Sequence, residues 1–268
     1  MIFKCRDKNI EYGKEPLIMG IINVTPDSFS DGGDYANASN AIEHAKQLIN
    51  DGADILDFGA QSTRPGHTPV SAEEEISRLS GVIPAVREIT DKPISVDTYY
   101  PEVAKKIIEW GADIINDVSG VINPDMAEIV KQSKAGWIIM HSGEGSVEEV
   151  REFFTSCEYE CEAYGIDKAQ LCFDMGIGFG KTRKQDLELI AGVKQYKPDG
   201  YPLLLGTSRK RIIGEYSGQS EPKQRVYGNI AADTAAILGG VDIIRIHDVK
   251  NEKQGIKMAY ALSTVFNA

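Results

Sequence analysis

At 268 residues the chain is long for one ordinary domain but normal for an α/β barrel, which typically needs about 250 residues. Hydrophobic residues make up 42% and charged residues 26%, the balance of a soluble globular protein. A net charge of −11 excludes broad binding to nucleic acid or anionic membrane, yet leaves room for a small basic pocket. The opening MIFKCRDKNIEYGKEP has no long apolar run, and no window reaches the ~18 apolar residues of a membrane span, so a cytoplasmic location is expected.

Taken in order, the apolar runs predict eight strands. They are LIMGIIN to Asn23, DILDFGA to Ala60, PISVD to Asp97, DIIND to Asp117, WIIMH to His141, LCFD to Asp174, PLLLGTS to Ser208 and DIIRIHD to Asp248. Helical patterns lie between them, such as AIEHAKQLIN from Ala41, PEVAKKIIEW from Pro101 and AADTAAILGG from Ala231. One phrase recurs: NDGADILDFGA from Asn50, EWGADIINDVSG from Glu109 and LGGVDIIRIHDV from Leu238. Each reads as a helix end, a glycine suited to the position after it, a short strand and then polar residues. Strands alternating with helices imply a parallel sheet with right-handed crossovers, and eight such units favour a closed (β/α)8 TIM barrel over an open sheet. No linker or low-complexity run divides the chain, so residues 1–268 are expected to form a single domain. Cys157 and Cys161 lie one helical turn apart but no zinc-type partner pair follows, so the four cysteines read as free thiols.

The stretch LCFDMGIGFGKT, from Leu171 to Thr182, has the layout of a site at a strand's C-terminal edge: an apolar strand, a lone acid, then Gly176, Gly178 and Gly180. It is neither a P-loop, because Met175 stands where the first glycine belongs, nor a dinucleotide fingerprint, because Lys181 stands where the third belongs. The same pattern recurs at every strand end: Asn23, Gln61, Asp97, Asn116, His141, Asp174, Ser208 with Lys210, and Arg245 with His247. In a barrel these converge on one face. Asp97, Asn116 and Asp174, with Lys210 beside them, suit a flat heterocycle with a guanidine-like edge, since a carboxylate accepts two parallel N–H bonds. Asn23, Ser62, Thr63, Arg64, Arg245 and His247 suit a phosphate or diphosphate, with Asn23 able to ligate a Mg2+ that already holds phosphate oxygens. Arg245 and His247 alternate along one strand and so point to one side. The loops TPDSFSDGGDYANAS from Thr25 and STRPGHTPVSAEEE from Ser62 are long and rich in Gly, Pro and Ser, the composition of lids.

GIINVTPDSFSDGG from Gly20, STRPG from Ser62, SVDT from Ser95, INDVSG from Ile115, GIGFGKT from Gly176, SRKR from Ser208 and RIHDV from Arg245 together closely resemble the dihydropteroate synthase family, from about Leu17 to Lys250. The resemblance implies a (β/α)8 barrel that condenses 7,8-dihydropterin-CH2-diphosphate with 4-aminobenzoate in folate synthesis. By the family pattern Asp97, Asn116, Asp174 and Lys210 would hold the pterin, with Met140 also in contact with substrate. Asn23, Ser62, Thr63, Arg245 and His247 would hold Mg2+ and the diphosphate. Phe29, Thr63, Arg64, Pro65, Phe179 and Ser208 would form the aminobenzoate pocket, completed when two lids close. Asp31, Lys210, Arg245 and His247 would be catalytic, Asp31 by stabilising a pterin methylene cation. The family is usually homodimeric, and the stripes from Glu221 and Gly255 offer apolar helices for pairing. Three departures stand out: Gln61 where an acid is usual, MHSGEGSVEEV after the fifth strand in place of a Gly-Thr-Pro run, and Met175 where proline commonly follows the acid. No Phe-Gly insertion of the kind linked to sulfonamide resistance interrupts the second loop, so sulfonamide sensitivity is expected.

Overall fold

The computed structural model describes residues 1–25, 34–61 and 69–266. Two short antiparallel strands, β1 (Ile2–Cys5) and β2 (Lys8–Glu11), precede β3 (Leu17–Asn23), β4 (Ile55–Gly59), β5 (Ile94–Asp97), β6 (Ile114–Asp117), β7 (Gly136–Met140), β8 (Leu171–Asp174), β9 (Leu203–Leu205) and β10 (Ile243–Ile246). The last eight form a closed parallel barrel in chain order, with β10 pairing β3 to complete it. Around it run α1 (Asp34–Asp51), α2 (Ala72–Ser80), α3 (Ile83–Ile89), α4 (Pro101–Glu109), α5 (Pro124–Ser133), α6 (Val147–Tyr164), α7 (Arg183–Ala191), α8 (Val193–Tyr196), α9 (Arg211–Ser217), α10 (Val226–Leu238) and α11 (Val249–Phe266). All eight expected barrel strands are present. The seventh is shorter than its apolar run because Gly206, Thr207 and Ser208 leave the ladder. Among the described residues no helix is long and apolar enough to cross a membrane.

Strand alternation sorts the barrel's side chains into two populations. Ile18, Leu56, Ile94, Ile115, Trp137, Phe173, Leu203 and Ile244 face outward into one large core shared with the helices. Met19, Ile55, Ile114, Ile138, Cys172, Leu204 and Ile243 face inward and close the barrel floor together with Phe3, Cys5, Ile10 and Tyr12 of the hairpin. The hairpin was not anticipated; its short strands alternate, with Phe3 and Cys5 buried between exposed neighbours, and it caps the floor. Gly136 makes that contact possible, since a Cβ there would lie 2.6 Å from Cys5 Sγ and 2.8 Å from Phe3 Cζ.

The recurring Gly-x-Asp phrase is a device of the same floor. Gly52, Gly111 and Gly240 take φ values of 96°, 101° and 97°, so each helix ends on a left-handed turn that a side chain would strain. Two residues on, the carboxylates of Asp54, Asp113 and Asp242 accept from Ile18 N (2.9 Å), Ile94 N (2.9 Å) and Leu203 N (3.0 Å), near the start of the neighbouring barrel strand. The backbone N–H of each aspartate donates back to the carbonyl of that same residue, at 2.8, 2.8 and 3.0 Å. Each aspartate therefore pins the strand beside it by two reciprocal bonds, and the Gly-x spacing sets its height. Arg87 (2.9 Å) and Lys197 (2.7 Å) compensate the buried charges of Asp113 and Asp242.

Replacing Asp242 by alanine strands the buried Leu203 N–H and leaves Lys197 with the Gly240 carbonyl but no carboxylate. Urea denaturation is expected to show a loss of about 2–3 kcal/mol, the cost of deleting a charge-assisted bond to a buried donor. An unchanged midpoint would refute the pinning role.

Candidate active site

Most strands reach the mouth with a polar residue in the inward register. Asn23, Gly59, Asp97, Asn116, Met140 and Asp174 sit on β3 to β8 at the parity that carries the floor residues, and His247 follows Arg245 at the same parity after β10. Asp97, Asn116 and Asp174 are buried, at 6%, 2% and 7% exposure. Met140 lies beside Asp174 in the β7–β8 register. Phe29, Asp31, Ser62, Thr63, Arg64 and Pro65 lie outside the described residues.

The residue that organises this set is one the sequence reading passed over. Asp57, fully buried within β4, has the parity of Ile55 and points into the barrel. Its carboxylate accepts from Ser95 Oγ (2.7 Å) and Arg245 Nε (2.7 Å) and lies 2.6 Å from Arg245 Nη2. Asn116 Nδ2 reaches it at 3.5 Å. Arg245 Nη2 also donates to Asp97 Oδ2 at 3.3 Å. The expected division into an acceptor set and a separate cationic set is thus corrected: Arg245 faces inward as foreseen, but it is salt-bridged to the acceptor set. A charged residue at an inward position of an otherwise apolar strand was the available signal.

The pairing leaves defined vacancies for hydrogen bonds. Asp97 Oδ1 and Asn116 Oδ1 are buried and accept nothing among the described residues. Burial raises Asp97 to about 7; Arg245 opposes the rise while Asp57 and Glu75 add to it. Burial likewise raises Asp174, against the pull of Lys210 and a bond from Gly176 N at 2.7 Å. Lys210 makes no direct ion pair with Asp174. Its ammonium donates to the Ile177 carbonyl and lies 4.7 Å over the Phe179 ring, and burial lowers it to about 8. The loop carrying Phe179 is held by Asp186, whose buried carboxylate accepts from Gly178 N at 2.7 Å.

Ser208 links Lys210's loop to His247. Its Oγ accepts from His247 N at 3.2 Å and Asn229 Nδ2 at 3.4 Å, and lies 3.0 Å from His247 Nδ1. With both lone pairs occupied, the hydroxyl proton goes to Nδ1. In that arrangement His247 Nδ1 is the acceptor.

His141 departs from expectation. It falls at the outward parity, and its ring packs edge-on to Phe153 of α6 at 5.0 Å, away from the mouth. Burial, helped by the Lys181 charge, lowers it to about 4, so it is a neutral packing group. Met175 is buried, and its sulfur accepts from Tyr196 Oη at 2.8 Å. The inward Gln61 is buried with both amide atoms unpartnered among the described residues.

For a metal the donor set is sparse. No group of three His, Cys, Asp or Glu could hold an ion among the described residues. Gly59 leaves a gap, since a Cβ there would lie 3.9 Å from both Asn23 Oδ1 and Asp97 Cβ. One neutral amide oxygen beside a gap fits a Mg2+ that brings phosphate oxygens and waters with it, and does not fit a cation held by the protein alone.

Parallel barrels with acids and cations gathered on the C-terminal rim are enzymes of small-molecule chemistry, and comparison with known proteins defines which. Residues 19–247 match the model of the pterin binding enzyme family. Dihydropteroate synthase of Synechocystis is 42% identical over 265 residues, covering 94% of this chain and 92% of that protein. The Clostridium difficile dihydropteroate synthase crystallised in the presence of pteroic acid superposes with a TM-score of 0.90 at 42% identity, covering 94% of this chain and 98% of that one. The Xanthomonas albilineans dihydropteroate synthase with 4-aminobenzoic acid gives 0.92 at 38% identity, covering 98% and 99%. The chain belongs to the pterin-binding enzyme family. Its function is that of the dihydropteroate synthases, transferases of folate biosynthesis.

Asp57→Asn removes the charge that holds Arg245. Loss of one charge-assisted bond, worth about 1.5–3 kcal/mol, is expected to lower kcat/KM by roughly 10–100-fold in a pyrophosphate-release assay. Turnover at the wild-type rate would show that Asp57 does not position Arg245.

Proposed function

We propose that the chain condenses 7,8-dihydropterin-CH2-diphosphate with 4-aminobenzoate, releasing pyrophosphate, on the rim residues described above. The observation that carries this reading is the pair of buried, unpartnered acceptors, Asp97 Oδ1 and Asn116 Oδ1, beside Asp174 and in the same mouth as Arg245 and His247. A pterin offers its amino and ring N–H groups along one edge, and such donors would satisfy those acceptors at little cost, because the acceptors are already desolvated. Lys210 would add a donor to the ring's acceptor side. Phe179 and Ser208, with Phe29, Thr63, Arg64 and Pro65, would receive the aminobenzoate.

The C–O bond to the diphosphate breaks first in this reading, and its electron pair leaves with the diphosphate. His247 and Arg245 stabilise the departing charge, the electrostatic contribution that is usually largest. A Mg2+ carried in with the diphosphate would take Asn23 Oδ1 as its protein ligand and supply further positive charge there. The remaining methylene cation is conjugated with the electron-rich pterin, and Asp31 would stabilise it. The amine of the aminobenzoate then forms the C–N bond with its lone pair and loses a proton to solvent. It is already nucleophilic and needs placement more than a base.

Pyrophosphate release from purified protein is expected only when the pterin diphosphate, 4-aminobenzoate and Mg2+ are all supplied; release without the amine would refute a condensation. In the same assay Asp31→Ala should lower kcat far more than it raises the KM of the pterin substrate, and an unchanged kcat removes the residue from the mechanism. A sulfonamide should compete with 4-aminobenzoate, with an inhibition constant tighter than millimolar.

The chain also suits a homodimer. Tyr216 of α9, Tyr227 of α10, and Met258, Val265 and Phe266 of α11 expose 59%, 85%, 59%, 75% and 73% of their surface. α10 and α11 pack side by side, so these apolar groups fall on neighbouring helices rather than being scattered singly. Light scattering on the purified protein should give twice the chain mass, and Tyr227→Glu should return it to the monomer.

A further inference from the structure

Lys181 is the most enclosed cation near the mouth that the reaction does not use. It is 7% exposed, and its Nζ donates to Gly176 O (3.0 Å), His141 O (3.1 Å), Gly143 O (3.3 Å) and Phe179 O (3.5 Å). Three ammonium protons shared among four carbonyls resemble the coordination of a dehydrated monovalent cation. The carbonyls come from two different loops, His141–Gly143 after β7 and Gly176–Phe179 after β8. No side chain separates them: a Cβ on Gly176 would lie 1.9 Å from His141 O, and one on Gly180 would lie 2.7 Å from Gly143 Cα. Backbone bonds cross the same seam, from Gly143 N to Phe179 O at 3.0 Å and from His141 N to Asp174 O at 2.8 Å. Carbonyl oxygens converging this closely repel one another unless a cation lies between them. The carboxylates of Asp174 and Asp186 favour the charged form against burial, which lowers the lysine to about 8.

We infer that Lys181 acts as a tethered monovalent cation that locks the loop after β7 onto the loop after β8, and so positions Asp174 and Phe179. Both positions depend on that seam. Gly176, whose carbonyl the ammonium holds, is also the residue whose N–H fixes Asp174 Oδ1 at 2.7 Å. The Phe179 carbonyl is held by Lys181 and Gly143 together, while its ring lies against Lys210. The loop after β7 is the one whose sequence, MHSGEGSVEEV, departs from the family pattern. Lys181 touches neither substrate in this reading; it is a positioning residue. The kinetic consequence rests on the substrates proposed above, whereas the cation selectivity of the cage does not.

The test compares Lys181→Ala in ammonium chloride with the same variant in tetramethylammonium chloride at equal ionic strength. Ammonium fits the vacated cage and tetramethylammonium does not. Ammonium is expected to raise the melting temperature of the variant and leave the wild type unmoved. In tetramethylammonium the KM for both substrates should rise by at least ~10-fold with a smaller change in kcat, and ammonium should recover most of that loss. Should the alanine variant fold only in ammonium, the selective refolding read by circular dichroism is itself the expected result. Lys181→Met fills the cage without charge and provides the second arm, with raised KM values that ammonium does not restore. Wild-type KM values for either variant in tetramethylammonium, or an alanine variant that is the same in both salts, would overturn the inference. A protein with no synthase activity whose alanine variant is still selectively stabilised by ammonium would refute the substrate assignment and leave the clamp standing.

Discussion

One guanidinium between two buried carboxylates sets the terms for the mouth of this barrel. Arg245 reaches from β10 past β3 to Asp57 on β4 and Asp97 on β5, so the contact spans the interior and not a neighbouring pair of strands. One N–H bond to Asp57 from Nε and one to Asp97 from Nη2 fix its orientation, as a planar guanidinium with donors in fixed directions allows and an ammonium would not. Buried ion pairs of this kind contribute little net stability, since desolvation offsets the attraction. What they contribute here is geometry and a surplus of acceptors: two acids share one cation, Asp97 Oδ1 is left without a donor among the described residues, and burial, with Asp57 adding to it, raises Asp97 to about 7. A neutral ring that presents N–H groups meets that surplus without bringing a counter-charge into the barrel.

Lys210 and His247 share that mouth. Lys210 is held by groups that do not neutralise it, the Ile177 carbonyl and the Phe179 ring, and His247 is anchored by the Ser208 hydroxyl. Acceptors and cationic groups set side by side on one rim suit a ligand that carries both ring N–H groups and an anionic tail.

Most of the frame was legible from periodicity. Apolar runs of strand length, helices of 3.6 spacing and the Gly-x-Asp phrase located all eight barrel strands, and the polar residue at each strand end located the mouth. What escaped has a physical reason in each case. Asp57 lies inside an apolar run, where a strand reading sees a break in pattern rather than a partner waiting on β10. His141 is one residue beyond Met140, and one residue inverts the face. The hairpin strands are too short and too polar to register as core elements, since only Phe3, Cys5 and Ile10 of the eight strand residues are buried. Lys181 enters the sequence reading only as the residue that rules out a dinucleotide fingerprint, and its role comes from four backbone carbonyls that no side-chain motif records.

The hairpin on the floor bears on how the chain assembles. It precedes in synthesis every strand it rests on, yet its seat is made by residues as late as Leu204 and Ile243. β3 likewise waits for β10 before its free edge is covered. Contacts of such long sequence separation form slowly, because loop closure must come first. The hairpin is therefore among the last parts to find its place, and until then its apolar residues and an open sheet edge are exposed to other chains.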